Sequence, residues 1–140
     1  MTNAISKTSI WTYRSLKNNP AIATDFDLLE EGRAILQINI ADDNSISGTI
    51  GGDGWSLDLK GSIQYGNPAT LWFQGFGKVG DDPWLYSYLC YQVPVIPNGI
   101  DQFPVLVGSV TRVIPHPGDN GTTSPAGAVY SFYAILQTQA

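Results

Sequence analysis

Short segments in which apolar and polar residues alternate, separated by residues that form turns, dominate this sequence. In the segment 33–40, Leu36, Ile38 and Ile40 share one face while polar residues occupy the other. Strict alternation over such a length is typical of a β-strand with one buried face, because successive side chains of a strand point to opposite sides. The alternation therefore predicts a β-rich chain before any other property is considered.

Segments of this kind recur along the whole chain and are predicted as strands. They are Lys7–Arg14, Arg33–Ile40, Ser45–Gly51, Trp55–Gln64, Ala69–Lys78, Trp84–Val93, Val105–Ile114 and Gly127–Gln137. Asp, Asn and Gly between them favour the positive φ angles of tight hairpins, which predicts an antiparallel meander. Trp55 opens the most regular of these strands, and we expect it to be buried with Leu57 and Leu59.

One segment, 24–31, is predicted to form a short helical turn. Thr24 is a suitable N-cap, Asp25 and Asp27 would lie in the positive first turn, and Gly32 would stop the helix. The fold class expected is therefore all-β, as a single eight-stranded antiparallel up-and-down barrel over residues 1–140. Closure removes exposed sheet edges. A sandwich is the alternative, but its Greek-key connections need long returns that this chain offers in few places.

Charge and composition exclude several classes of protein. Only 14% of residues are charged and 43% are hydrophobic, which is unlike a disordered chain. The net charge of −5, without a basic run, argues against a nucleic-acid partner. The sequence has no apolar run of membrane-spanning length and no signal-peptide pattern, so a cytoplasmic location without membrane contact is expected. Cys90 is the only cysteine, and we expect neither a metal site nor a cofactor.

Three strands, 84–93, 105–114 and 127–137, carry apolar residues on both faces. A barrel interior can cover only one face of each strand, and large exposed apolar patches are unusual on monomers. The outer face would be covered either by the segment Ser15–Glu31 or by a second subunit. We expect a homo-oligomer, most simply a dimer.

Four strings carry a resemblance over nearly the whole chain: WTYRSLKNNP at 11–20, GWSLDLKGSIQYGNP at 54–68, PNGIDQ at 97–102 and GSVTRVIPH at 108–116. Together they resemble an uncharacterised family of small bacterial all-β proteins, which implies a fold but no activity. In architecture the chain is similar to the calycin-type barrels, the lipocalin and avidin group that binds small ligands. Those barrels usually open with Gly-x-Trp, where this chain has Ser9-Ile10-Trp11.

Aromatic side chains with polar tips form the most prominent candidate site. Their rings serve core and interface packing, but a ring combined with a hydroxyl or indole donor also holds small planar molecules. The residues that we predict to bind a ligand are Tyr13, Trp72, Trp84, Tyr86, Tyr88, Asp101, Arg112 and His116.

Each of the polar candidates also has a purely structural interpretation. Arg112 would snorkel outward near its strand end, or else point into the barrel mouth and pair with Asp101 or an anionic ligand. His116, between two prolines, would be an ordinary loop histidine or a proton-transfer group at the mouth. Asp101 would hydrogen-bond its own loop.

Five glycines, at positions 48, 61, 75, 77 and 108, fall inside predicted strands. They would bend the wall so that the barrel closes, or leave room for a ligand inside. The leading functional hypothesis is a non-catalytic barrel that binds a small apolar or aromatic molecule inside or at its mouth. An isomerase or cyclase is one alternative, and a sugar-binding or structural oligomer is the other.

Overall fold

The strands form a closed antiparallel barrel. A computed structural model describes residues 7–139, with the side chains of 138 and 139 left out. Eight strands follow one another around the barrel in chain order, and the last pairs with the first. In chain order the strands are β1 (Thr8–Lys17), β2 (Glu30–Ile40), β3 (Ser45–Gly52), β4 (Trp55–Gln64), β5 (Thr70–Val79), β6 (Asp82–Gln92), β7 (Val105–Arg112), β8 (His116–Pro117), β9 (Thr123–Ser124) and β10 (Val129–Gln139). The short strands β8 and β9 make a separate hairpin, and the predicted all-β barrel is confirmed.

Strand β1 closes the barrel because it pairs with both β2 and β10. Tyr13 lies opposite Ala34 of β2 and opposite Ala134 of β10. The two alanines leave room for the tyrosine ring, which packs at 5.1 Å from the Phe132 ring. Alternation of large and small side chains at neighbouring positions fills a narrow barrel without strain.

The barrel interior is filled at one end. At the end where β2 turns into β3 and β6 leads to β7, the inward side chains are aliphatic or aromatic and buried. Among them are Trp11, Ile38, Ile40, Ile46, Ile63, Leu71 and Leu106. The indole Nε1–H of Trp11 donates to Ser9 Oγ over 2.8 Å, so the one polar atom of this ring is satisfied inside the apolar core.

The strand glycines allow close approach at three positions and make room for side chains at two. A Cβ at Gly61 would collide with the backbone of Trp72 and Phe73, and one at Gly108 with the backbone of Leu89 and Cys90. Gly48, at a φ of +134°, likewise lies against the Gln37 backbone. These three therefore let neighbouring strands curve together, as the bending interpretation predicts.

The two remaining strand glycines face interior side chains. A Cβ at Gly75 would lie 3.2 Å from the Tyr88 ring, and one at Gly77 would lie 3.2 Å from the Ser56 carbonyl oxygen and 3.5 Å from a Leu57 methyl group. The space at Gly75 and Gly77 is thus occupied by neighbouring atoms of this chain, and a ligand has no room there.

The helical turn is shorter than predicted. Helix α1 spans Phe26–Leu29, its N-cap is Asp25, and Glu30 has the extended backbone of β2. A short helical turn within 24–31 is therefore present as predicted, but its N-cap is Asp25 rather than Thr24. It ends before Gly32 because pairing with β1 takes residues from Glu30 onward into the sheet. None of the helix residues is buried. In the part of the chain that is described, no helix is long and apolar enough to cross a membrane.

Residues 7–137 leave the apolar outer face of β6, β7 and β10 uncovered. Leu89, Tyr91 and Val129 are each exposed by more than two fifths. The connection between β1 and β2 does not lie over these three residues. Its Ile22 is fully exposed, and its Asn18 hydrogen-bonds to β10 near the barrel mouth. The Ser15–Glu31 segment therefore does not cover this face, and the first of the two predicted covers is wrong.

Candidate functional site

A cavity of about 400 Å³ opens at the end of the barrel opposite the filled core. It lies where β1, β3, β5 and β7 end and where β2, β4, β6 and β10 begin, and the β8–β9 hairpin borders it. Pockets that hold small molecules start at about 300 Å³. We call this space the mouth cavity.

Six of the eight residues predicted to bind a ligand line the mouth cavity, and two lie elsewhere. The six are Tyr13, Trp84, Tyr86, Tyr88, Arg112 and His116. Trp72 alternates with the inward Leu71 and Phe73, so its ring lies on the outer wall and donates to Ser87 Oγ at 3.2 Å. Asp101 lies in the β6–β7 connection, at the filled end of the barrel.

Arg112 turns inward into the barrel mouth, which is the second of its two predicted orientations, and does not snorkel to solvent. It follows Leu106, Gly108 and Val110 on the inner face of β7, and only 5% of its surface is exposed. Its Nε–H donates to Tyr86 Oη at 3.0 Å, and Nη1 donates to the Pro125 carbonyl at 3.2 Å. The guanidinium also lies over the rings of Tyr86 and Tyr130, at 5.6 and 5.8 Å from their centroids. Cation–π contacts and hydrogen bonds thus fix the charge inside the mouth.

His116 is buried in the wall of the mouth cavity, where an ordinary loop histidine would be solvated. Only 7% of it is exposed, and its ring stacks on Trp84 with centroids 4.0 Å apart. Nδ1 lies 3.0 Å from the Pro117 carbonyl, which can only accept, so we assign the ring proton to Nδ1. Nε2 then accepts from the Tyr86 hydroxyl over 2.8 Å.

These contacts form a directional chain of hydrogen bonds. Arg112 donates to Tyr86, Tyr86 donates to His116, and His116 donates to the Pro117 carbonyl. Burial raises the pKa of Tyr86 above its ordinary value, and the neighbouring Arg112 opposes this only in part. The Tyr86 hydroxyl is therefore neutral at physiological pH and has its proton directed at a ring nitrogen that can accept it.

Aromatic rings form the floor of the mouth cavity. Tyr88 stacks on Phe73 with centroids 5.0 Å apart and meets Tyr13 edge to face at 6.2 Å. Burial raises the pKa of both tyrosines above the ordinary value, so their hydroxyls remain protonated. The floor is apolar with neutral polar tips, a surface suited to a flat organic molecule.

Sequence reasoning missed several lining residues, among them Trp55, Tyr130, Glu31 and Asp119. Trp55 lies on the inner face as expected, but at the rim, so it is only partly buried and packs 6.2 Å from Trp84. The predicted topology could have indicated this contact. In an antiparallel barrel the first residues of β4 and β6 lie at the same end, so Trp55 and Trp84 are expected close together.

The acidic residues of the mouth lie at its rim. Glu31 is exposed and lies 4.0 Å from Lys17, and Asp119 is exposed on the turn after β8. Within residues 7–139 no three His, Cys, Asp or Glu side chains are grouped as a metal ion would require. Comparisons with family models, with curated proteins and with solved structures found no match to this chain.

Proposed function

We propose that this protein binds a small apolar or aromatic molecule in the mouth cavity, without transforming it. The observation that supports this most is the asymmetry of the barrel: one end is packed solid, and the other holds a cavity of about 400 Å³ lined by aromatic side chains. If stability of the barrel were the only requirement, both ends could be filled with apolar side chains, as the end opposite the mouth cavity is.

The rings around the mouth cavity favour a planar ligand. Trp55 and Trp84 stand at one side, and Tyr13 and Tyr88 form the floor, so a flat ring can stack on one surface while its edge meets another. Stacked and edge-to-face contacts stabilise such a complex beyond simple area burial. The likeness in architecture to lipocalin- and avidin-type barrels agrees with this proposal as an analogy of shape.

Binding of a neutral aromatic probe tests the proposal. We expect N-phenyl-1-naphthylamine to bind saturably, with a rise in its fluorescence, and Trp84→Ala to weaken binding by about tenfold because a stacking surface is lost. Trp72→Ala is the matched control, since it removes the same side chain from the outer wall. No saturable binding, or a loss with Trp72→Ala instead, would contradict the proposal.

A second candidate is an acid–base isomerase or cyclase, and the Tyr86–His116 hydrogen bond is the observation that favours it. Tyr86 would exchange a proton with the substrate, with His116 Nε2 as its neighbouring base, and neither reaction class needs a redox partner. A molecule that binds can be incubated with the protein and recovered for mass and NMR analysis. Recovery unchanged supports a binding protein; conversion by the wild type and not by Tyr86→Phe would support an enzyme.

A further inference from the structure

We infer that the ligand of the mouth cavity carries a carboxylate, which binds to the guanidinium of Arg112. This inference rests on the proposed binding function and goes beyond it by naming the chemical group that the cavity recognises. Arg112 is the only residue with a permanent charge among the buried side chains of the described chain.

The positive charge of Arg112 has no carboxylate partner within the described chain. The ion pairs there join Lys7 to Asp42, Lys17 to Glu31, and both Arg14 and Arg33 to Glu30. No carboxylate oxygen of residues 7–137 lies within 4 Å of the Arg112 guanidinium. A guanidinium keeps its charge at any physiological pH, and a buried charge is costly unless it is paired.

The donors of Arg112 are only partly used. A guanidinium carries five N–H donors, and that of Arg112 hydrogen-bonds three protein groups: Tyr86 Oη, the Pro125 carbonyl and the Tyr130 hydroxyl. One donor for each of these groups leaves two N–H donors for a ligand. Since Arg112 lines the mouth cavity, that cavity is where a ligand can reach its guanidinium.

The surrounding groups favour a single negative charge over a larger one. Tyr86 and Tyr88 stay protonated, because burial raises the pKa of both. Glu31 and Asp119 at the rim would repel a dianion such as a phosphate monoester. A carboxylate presents two oxygens in a plane, which matches the paired N–H groups of a guanidinium. A flat apolar body attached to it would extend over the aromatic floor.

A matched pair of probes tests this inference: 2-naphthoate and 2-naphthamide share size and shape and differ in the negative charge. Calorimetric titration of the wild type should give a dissociation constant for naphthoate at least about tenfold lower than for naphthamide. Arg112→Gln should abolish that preference by weakening naphthoate while leaving naphthamide within about twofold, and Arg112→Lys should restore part of it. Arg14→Gln removes a cation from the outer wall and should change neither constant.

The outcomes separate the inference from the function on which it rests. Equal binding of the two probes to the wild type, or unchanged naphthoate binding in Arg112→Gln, overturns the carboxylate inference and leaves the proposed function standing. Failure of both probes to bind overturns both. The comparison of probes on the wild type needs no variant, so it decides the question even if Arg112→Gln fails to fold. A naphthoate preference that Arg14→Gln abolishes would also overturn the inference.

Discussion

Burial of tyrosine and cysteine side chains gives this protein a definite response to alkaline pH. Burial raises the pKa of Cys90 to about 12, and it raises the pKa of Tyr13 and Tyr88 above the ordinary tyrosine value. In the unfolded chain these groups lose their protons at lower pH than in the folded one. The folded state then binds more protons, so stability falls as pH increases.

We therefore expect the free energy of unfolding to be insensitive to these groups up to about pH 8 and to decrease above about pH 9, by up to about 1.4 kcal/mol per pH unit for each group. Urea denaturation at pH 8 and pH 10.5 measures this. Tyr88→Phe removes one titrating group and should reduce the decrease, whereas Tyr65→Phe, at an exposed position, should not. An identical decrease in all three proteins would contradict the assignment.

Position along a strand decides how much a core-facing residue contributes to stability. Leu57 is 1% exposed and Trp55, two residues earlier on the same face, is only partly buried at the rim. We expect Leu57→Ala to cost about 2–5 kcal/mol in unfolding free energy and Trp55→Ala only about 1.5–2.5 kcal/mol, despite its larger side chain. Chemical denaturation of the two variants checks this. A larger loss of unfolding free energy for Trp55→Ala than for Leu57→Ala would contradict the placement of the Trp55 ring at the rim.

At the scale of strands, close approach at glycine is the feature most sensitive to substitution. A Cβ at Gly108 would meet the backbone of β6, which cannot move without disturbing the pairing of Leu89 and Cys90. We expect Gly108→Ala to destabilise the fold by about 1–3 kcal/mol or more. Gly66→Ala is the control: its added Cβ would meet no atom closer than 3.5 Å. Equal melting temperatures for the two variants would contradict this account of wall curvature.

The strands could be predicted from the sequence because period-two alternation and turn residues are local signals. Segments such as 55–64 match the observed β4 to the residue. The length of the helix between β1 and β2 was overestimated. Its capping residues are a local signal, whereas the pairing of Glu30 with Leu16 of β1 is a contact between residues distant in sequence.

The candidate site was only partly predictable for the same reason. The cross-strand pairing of Tyr86 with Arg112, and the folding of the β8–β9 hairpin that brings His116 onto Trp84, depend on register and on a long connection. The alternation of apolar and polar residues indicates neither the strand register nor the position of the hairpin. Trp72 was assigned to the site by residue type alone, although its alternation with Leu71 and Phe73 already indicated the outer face.

At the scale of the whole molecule, the apolar outer face predicts self-association. Leu89 and Tyr91 of β6 are 52% and 43% exposed, and the described part of the chain does not cover them. Burial of such a face against a second copy removes it from water, and two-fold dimers are the commonest closed assemblies. Sedimentation at micromolar concentration should show a species of about twice the 15.1 kDa chain mass.

Leu89→Lys should shift that species to the monomer, because a charge would be buried at the contact. Ile22→Lys, a change at a fully exposed apolar residue of the β1–β2 connection, should leave it unchanged. A wild-type protein that sediments as a monomer at every concentration would contradict the prediction.

The central claim, that a small aromatic molecule binds in the mouth cavity, is tested most directly by the indole N–H signals of the four tryptophans in a ¹H–¹⁵N NMR titration. Trp55 and Trp84 line the cavity, Trp11 is buried in the filled end, and Trp72 lies on the outer wall. With 2-naphthoate as ligand, the signals of Trp55 and Trp84 should shift saturably while those of Trp11 and Trp72 stay in place. Shifts confined to Trp72, or no shift at any of the four, would contradict the claim.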